Sequence, residues 1–455
     1  MSAPTISEVR ARPTPSIDSP APQRPSPRPP SPGTPSPRTP SPGPGAGAGP
    51  SSGVSIGLLI LLGALTALPS LSLDFYLPAL PAIARELGTA QSTAELTMTA
   101  CLLGFAVGLL ISGPISDAHG RRRPLLIGLA LYVVVTLLCA LVPSIWALLV
   151  LRLLQGATGA VGMVTGNAII RDRSTGAVAA KMFATLMLAN GAAPILGPVL
   201  GAQLLTFVDW RGVFVVLGLV GAVVLVFAVR SLPETLPVER RKSGGLRGAV
   251  DGFGTLLHDR ALVGYTLGRA LSASGLMAYL TASPFVFQQI YGLSPRTYSA
   301  VFALNSVGLI GMGQLGGRVV GRVGPSALLR IGVGICTGGA VVLLVAALDR
   351  SGLALVLLGV FGVVAGMGLV FPNSTALALG RHGNRAGAAT GLLGVTQFFL
   401  QAVISPLTGL GSGRTAIPMA LVVIACEVAA VVAIVGLTRH RASVHRSTRS
   451  GLARA

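Results

Sequence analysis

The chain has 455 residues, 51% of them hydrophobic and only 11% charged, against about 25% charged in an average soluble domain. That balance excludes a water-soluble enzyme and identifies an integral membrane protein. The formal charge of +20 is not a nucleic-acid signature, because the basic residues fall between apolar runs and in both tails rather than on one stripe; no nucleic-acid partner is expected.

Residues 1–53 contain "PSPRPPSPGTPSPRTPSPGPGAG", a Pro/Ser/Arg-rich tract that cannot bury enough apolar surface to offset chain entropy, and they read as a disordered cytoplasmic tail. The tail has no short apolar stretch with a small-residue cleavage site, so it is not a signal peptide.

Apolar segments of about 20 to 27 residues follow, each long enough to cross a bilayer as a helix. They fall at 54–80, 92–116, 124–143, 145–169, 178–207, 212–231, 261–288, 297–320, 326–347, 352–378, 386–410 and 416–437. The single long polar break, at 233–260, is expected to be a cytoplasmic loop between two six-helix bundles, 54–232 and 261–437, and 438–455 is a basic cytoplasmic tail. The predicted fold is all-α, twelve transmembrane helices in two pseudo-symmetric halves. A weak internal repeat supports this: "GPISDAHGRRRPLLIG" is echoed about 200 residues later by "GQLGGRVVGRVGPSALLRIG".

Arginine placement orients the chain. Arg121, Arg122, Arg123, Arg171, Arg173, Lys181, Arg240, Arg241, Lys242, Arg318, Arg322, Arg381 and Arg385 lie in one set of breaks, whereas the alternate set holds only Arg85, Arg211, Arg296, Arg350 and Arg414. The first set is therefore expected to be cytoplasmic, with both termini on that side.

Charges inside spans are costly and point to function. In the first span, "LPSLSLDFYLPALP" places Asp74 near the outer end, and in the fourth, "ALLVLRLLQGATGA" places Arg152 at similar depth. Facing the bundle interior, the two would form a pair, directly or through water, and a change in their distance would let Asp74 bind and release a proton. The alternative is that Asp74 caps a helix broken at Pro69 or Pro78 while Arg152 snorkels outward.

The fifth span, "ANGAAPILGPVLGAQLL", places Pro194, Gly197, Pro198 and Gly201 within two turns, which predicts a bent and closely packed helix. In the seventh span Arg269 either serves the transport path or snorkels to the headgroups. Glu427, near the middle of the last span, has no basic partner at its depth and reads as a neutral acid or a packing residue. Polar and aromatic residues inside spans, Tyr76, Arg269, Gln288, Asn305, Asn373 and Gln397, are candidates for a substrate cavity; Tyr76 reads equally as an interfacial anchor.

No Walker loop, HExxH or nucleophile elbow occurs, so neither ATP-driven pumping nor an enzyme is expected, and no cofactor. The five histidines lie in breaks or the tail, which predicts no metal site. The four cysteines, without CxxC spacing, read as small core hydrophobes.

With these motifs the chain resembles the major facilitator superfamily, and within it the twelve-span drug:proton antiporters of the Bcr/CflA bicyclomycin-resistance branch, from about residue 54 to 437. "GPISDAHGRRR" resembles the loop motif GxxxDRxGRR, with Gly113, Asp117, Gly120, Arg121 and Arg122 in place. "LRLLQGATGA" resembles the fourth-helix motif, "PILGPVLGA" the fifth-helix antiporter signature, and "LDFYLPALP" the first-helix string of the branch; "DWRGVF" and "LPETL" are also typical of it.

The resemblance implies alternating access around a central cavity, a loop motif that stabilises one end state, and participation of Arg152 in proton coupling. Ala118 and Ala202 depart from the pattern, at the arginine after the loop aspartate and the last glycine of the fifth-helix signature. The expected function is proton-coupled efflux of small drugs or related hydrophobic or cationic compounds by a monomer in the bacterial plasma membrane. Its partners are the substrate, protons and the lipid bilayer. Export of a native metabolite, and a non-transporting receptor or scaffold acting through the proline-rich tail, stay open at this point.

Overall fold

The computed structural model describes residues 56–173, 182, 197, 199–241, 253–349, 352–380, 386–410 and 415–438, and among these no strand occurs. The first span is not one straight helix. Helix α1, Ile56–Asp74, ends where Pro78, having no N–H, cannot donate to the Asp74 carbonyl. A 3₁₀ turn, Leu77–Ala79, and a short helix α2, Leu80–Glu86, complete the crossing. The span therefore runs to Glu86, six residues past the apolar limit read at Leu80, and Asp74 lies at an internal break instead of near an end.

Helices α3 (Gln91–His119), α4 (Arg122–Cys139), α5 (Ile145–Arg173) and α6 (Trp210–Ser231) follow. After the polar break come α7 (Arg260–Pro284), which passes into a π-helical turn Phe285–Ile290, then α8 (Pro295–Val323), α9 (Pro325–Leu348) and α10 (Leu353–Leu379). Helix α11 (Ala386–Ile404) continues as a 3₁₀ segment Ser405–Leu410, and α12 (Ile417–Thr438) closes the chain. Eleven described stretches are long and apolar enough to cross a membrane. The expected fifth span, 178–207, falls largely outside the described residues; its last part, 199–204, is helical.

Short polar signals set the helix ends. Asp209, of the "DWRGVF" string, caps α6 by accepting from the Gly212 N–H at 2.9 Å, and Asp259 and Ser294 cap α7 and α8 in the same way, from Ala261 and Thr297. Gly120 and Gly324 occupy equivalent positions in the internal repeat, and both turn the chain with positive φ (90° and 82°), a backbone that side-chain-bearing residues rarely adopt.

Helices α1, α3 and α4 pack around α5, and α6 packs on α4 and α1, while α7 to α12 pack around the α7/α10 pair. The two groups meet chiefly where α3 lies along α11, with Phe105 and Phe398 ring centroids 5.4 Å apart. At the end of the molecule away from Arg121–Arg123, here the arginine-poor end, one apolar core joins Tyr76, Leu80 and Met98 to Met277, Phe285 and Ala402 across that seam.

Candidate functional site

Arg152 is completely buried. Its Nη1 donates to the Ser72 carbonyl at 3.0 Å and to Gln155 Oε1 at 2.6 Å, and its Nη2 approaches Met98 Sδ at 3.5 Å. The guanidinium carbon lies 4.4 Å from the Tyr76 ring centroid and 5.8 Å from that of Phe214. The Ser72 carbonyl belongs to the last turn of α1, where a helix leaves carbonyls without backbone donors. Arg152 thus supplies a donor to a carbonyl at the break.

A shell of neutral groups surrounds this cation. Gln155 Nε2 donates to Thr136 Oγ1 at 3.0 Å, the Ser72 and Tyr132 hydroxyls share a hydrogen bond of 2.6 Å, and the Tyr76 hydroxyl bonds Thr97 Oγ1 at 2.7 Å. Gly156 lets α3 approach so closely that a Cβ there would strike the Cys101 carbonyl. Dipoles and aromatic faces, not a carboxylate, hold the charge.

Asp74 and Arg152 make no direct ion pair or hydrogen bond. Both residues lie at one level, since Arg152 reaches Ser72, but the end of α1 turns Asp74 away and places Tyr76 over the guanidinium. Asp74 is buried and, among the described residues, makes no ion pair or hydrogen bond. It packs on Gly197, where a Cβ would strike the Asp74 Cβ and lie 3.4 Å from Oδ2. One turn on, a Cβ at Gly201 would come within 2.6 Å of the Phe75 carbonyl. The two glycines of the fifth-span motif therefore form the surface that receives the broken end of α1; Pro194 and Pro198 lie outside the described residues.

A second cluster lies at the basic end. Arg121 forms ion pairs with Asp117 and, at 2.9 Å, with Asp172 at the end of α5, and it donates to Ser116 Oγ at 3.2 Å. Glu234, just past α6, accepts from the backbone N–H groups of Arg121 at 2.8 Å and Arg122 at 3.2 Å, and from its own neighbours Thr235 and Leu236. Partial burial works against ionisation of Glu234, but these N–H groups outweigh it and hold the carboxyl below the usual glutamate range. For Arg121, burial opposes the charge and the bonds to Asp172 and Asp117 overcome it, so its pKa is raised.

Gly120 is closed over by this joint: a Cβ there would lie 2.5 Å from Glu234 Oε2 and 3.0 Å from Arg241 Nη2. Arg122 reaches across to the Val229 carbonyl at 2.9 Å. At Gly113 a Cβ would meet open space. Ala118 takes no part, and the network closes without an arginine at that position.

Each of the expected cavity residues has its own contacts or burial among the described residues. Tyr76 is fully buried, its ring beneath Arg152. Asn305 donates to the Tyr279 hydroxyl at 3.0 Å, and Asn373 to the Leu369 carbonyl of its own helix at 2.8 Å. Arg269 is half-buried, 5.2 Å from the Phe371 ring centroid, and Gln288 and Gln397 are half-buried. Glu427 is fully buried and accepts from Ser272 Oγ at 2.9 Å.

Sequence reasoning missed Asp172 and Glu234, whose partners are far away in the chain, and Gln401, which is buried and donates to the Ala273 carbonyl at 3.1 Å. The available signals were "RDR" at the end of the fourth span and "LPETL" after the sixth.

The family model described as Major Facilitator Superfamily matches residues 58–406. The chain belongs to this superfamily. A major facilitator protein from Bacillus subtilis, described as the uncharacterized MFS-type transporter YdgK, is 38% identical over 86% of this chain and 98% of its own. The bicyclomycin resistance protein homolog of Haemophilus influenzae is 31% identical over 84% of this chain and 96% of its own, and the chloramphenicol resistance protein of Pseudomonas aeruginosa is 31% identical over 72% and 76%. In fold, the crystal structure of a D-xylose–proton symporter matches with a TM-score of 0.65 at 16% identity, covering 83% of this chain and 96% of that one. The protein is a multi-pass membrane transporter of the major facilitator fold, and in it the Arg152 shell and the Arg121 joint are the two most heavily bonded polar clusters described above.

Proposed function

We propose that the protein exports small hydrophobic or cationic compounds from the cytoplasm in exchange for protons, with Asp74 as the group on which the two compete. The observation that carries this reading is a buried carboxyl at a break in the first span, facing Gly197 and Gly201, with no cation bonded to it among the described residues. A lone carboxylate in such surroundings is costly, and either a proton or a positively charged or hydrogen-bonding substrate relieves the cost. Occupancy by one excludes the other, which is the minimum requirement of an antiporter. The names of the Haemophilus and Pseudomonas relatives point to bicyclomycin and chloramphenicol as the first compounds to try.

In this reading Arg152 is not the switch beside the acid but the post that holds the break. It binds the Ser72 carbonyl and stacks on Tyr76, so Asp74, between them in sequence, keeps its place as the halves move. The basic end, with the Arg121 joint, faces the cytoplasm together with both termini. One chain suffices, since both halves lie in it.

The test is efflux of chloramphenicol or bicyclomycin from cells expressing the protein, with and without a protonophore. Export that collapses with the protonophore, and is absent in Asp74→Asn, supports the reading. Export that continues undiminished in either condition contradicts it.

A further inference from the structure

Glu95, one turn into α3 at the arginine-poor end, is fully buried. Its Oε1 accepts from Gln91 Nε2 at 2.7 Å. Its Oε2 lies 3.1 Å from the hydroxyl of Thr408, in the 3₁₀ segment after α11 and thus across the seam. Gly409 seals the contact: a Cβ there would come 2.8 Å from Glu95 Oε2 and 2.8 Å from the Ser92 Cα. The carboxyl is covered only while the ends of α3 and α11 stay together.

Hydroxyl protons can be counted at this site. Thr408 Oγ1 also lies 2.8 Å from the Ser405 carbonyl, which can only accept. Thr408 has one proton to give. Once that proton serves the carbonyl, the contact with Oε2 needs a proton from Glu95, and a neutral acid fits both sides: Oε2–H donates to Thr408 while Oε1 accepts from Gln91. An ionised carboxylate either faces a hydroxyl lone pair or draws Thr408 off Ser405. The groups around Glu95 are Gln91 and Ser92 of its own helix and Thr408 and Gly409 across the seam; among the described residues no charged side chain bonds to it.

We propose that Glu95 is a second proton-binding site, protonated while the arginine-poor ends of α3 and α11 are closed over it and ionised when they part and water enters. With that end external, as the proposed function has it, the proton comes from the outside medium and returns there on opening. Glu95 then carries no net proton flux but makes closure of the external gate favourable in acid. The Ser405 hydroxyl, 2.9 Å from Thr281 Oγ1, ties the same closure to α7.

The test is the distance between spin labels on Ala90→Cys and Thr415→Cys, two exposed positions at this end, in the full chain in lipid nanodiscs as pH is varied; the native cysteines are buried. The wild-type distribution shifts toward the short distance as pH falls. Glu95→Gln, isosteric with the neutral acid, stays short at every pH, and Thr408→Val moves the midpoint to lower pH by removing the acceptor for the acid proton. A Glu95→Gln protein with the wild-type pH response overturns the proposal. The same labels in Asp74→Asn separate the two readings: a response kept in Asp74→Asn and lost in Glu95→Gln supports Glu95 even where transport proves not to be proton-driven, and the converse pattern overturns it.

Discussion

The Arg152 guanidinium lies 4.4 Å above the ring of Tyr76, a residue that the break in the first span carries to the place where a carboxylate was expected. The cation is held by a helix-end carbonyl, an amide and two aromatic faces, and the acid two residues before Tyr76 is left for other work. Arginine suits this arrangement because its planar head can stack and donate at once, which a lysine ammonium cannot.

Replacing Arg152 by Lys keeps the charge but loses the stacking and part of the hydrogen bonding. A loss of about 1–3 kcal/mol of stability is expected. Arg152→Met leaves the Ser72 carbonyl and Gln155 Oε1 unpartnered, with a larger loss. Thermal unfolding of the purified proteins in one detergent checks the order: wild type above Lys, Lys above Met.

Tyr76→Phe retains the ring under Arg152 and removes only the hydroxyl bonded to Thr97, which still has the Ala94 carbonyl at 2.6 Å. The expected loss is about 1 kcal/mol with transport retained. Tyr76→Ala removes the ring from a full core and costs about 3–5 kcal/mol. Unfolding midpoints and drug-resistance assays on the pair distinguish a stacking role from a substrate contact, since a substrate contact through the hydroxyl would make the Phe variant inactive.

Gly197→Ala places a methyl against the Asp74 Cβ, and Gly201→Ala places one against the Phe75 backbone. Each forces a backbone shift worth about 1–3 kcal/mol. Gly197→Ala is expected to abolish export at normal membrane levels of protein, because it moves the residue on which coupling depends. Gly113→Ala, whose added methyl meets open space, is the control and unfolds at the wild-type temperature.

At the basic end the sign of the pH effect follows from Glu234. Its carboxyl is held below the ordinary glutamate value of about 4.3, so its stabilisation of the α3–α4 turn is fully present above that value and is lost as pH falls through the lowered one. Glu234 is largely exposed, so the effect is small, on the order of 1 kcal/mol. Hydrogen exchange at the Arg121 and Arg122 amides should accelerate in Glu234→Gln near neutral pH; unchanged protection would remove Glu234 from the joint.

How far the sequence carried is clearest at the spans. Apolar run length placed the helices because it is a local property, and the caps Asp209, Asp259 and Ser294 stand just ahead of three of them. The first span reads to Leu80 from its apolar run, whereas α2 carries it on to Glu86. Depth along a span followed from counting residues, and Arg152 does lie at the level of Ser72 and Asp74. The direction of the Asp74 side chain did not follow, because a break rotates what comes after it by an amount that no periodicity records. Glu95 and Glu234 stand near span ends, where acids are ordinary, and only contacts with residues more than a hundred positions away set them apart.

Proton release on substrate binding tests the central claim most directly. Purified protein in weakly buffered detergent solution with a pH-sensitive dye is titrated with chloramphenicol or bicyclomycin. Wild type is expected to release protons as the compound binds, and Asp74→Asn to bind without release. Proton release of equal size from Asp74→Asn would contradict competition at Asp74.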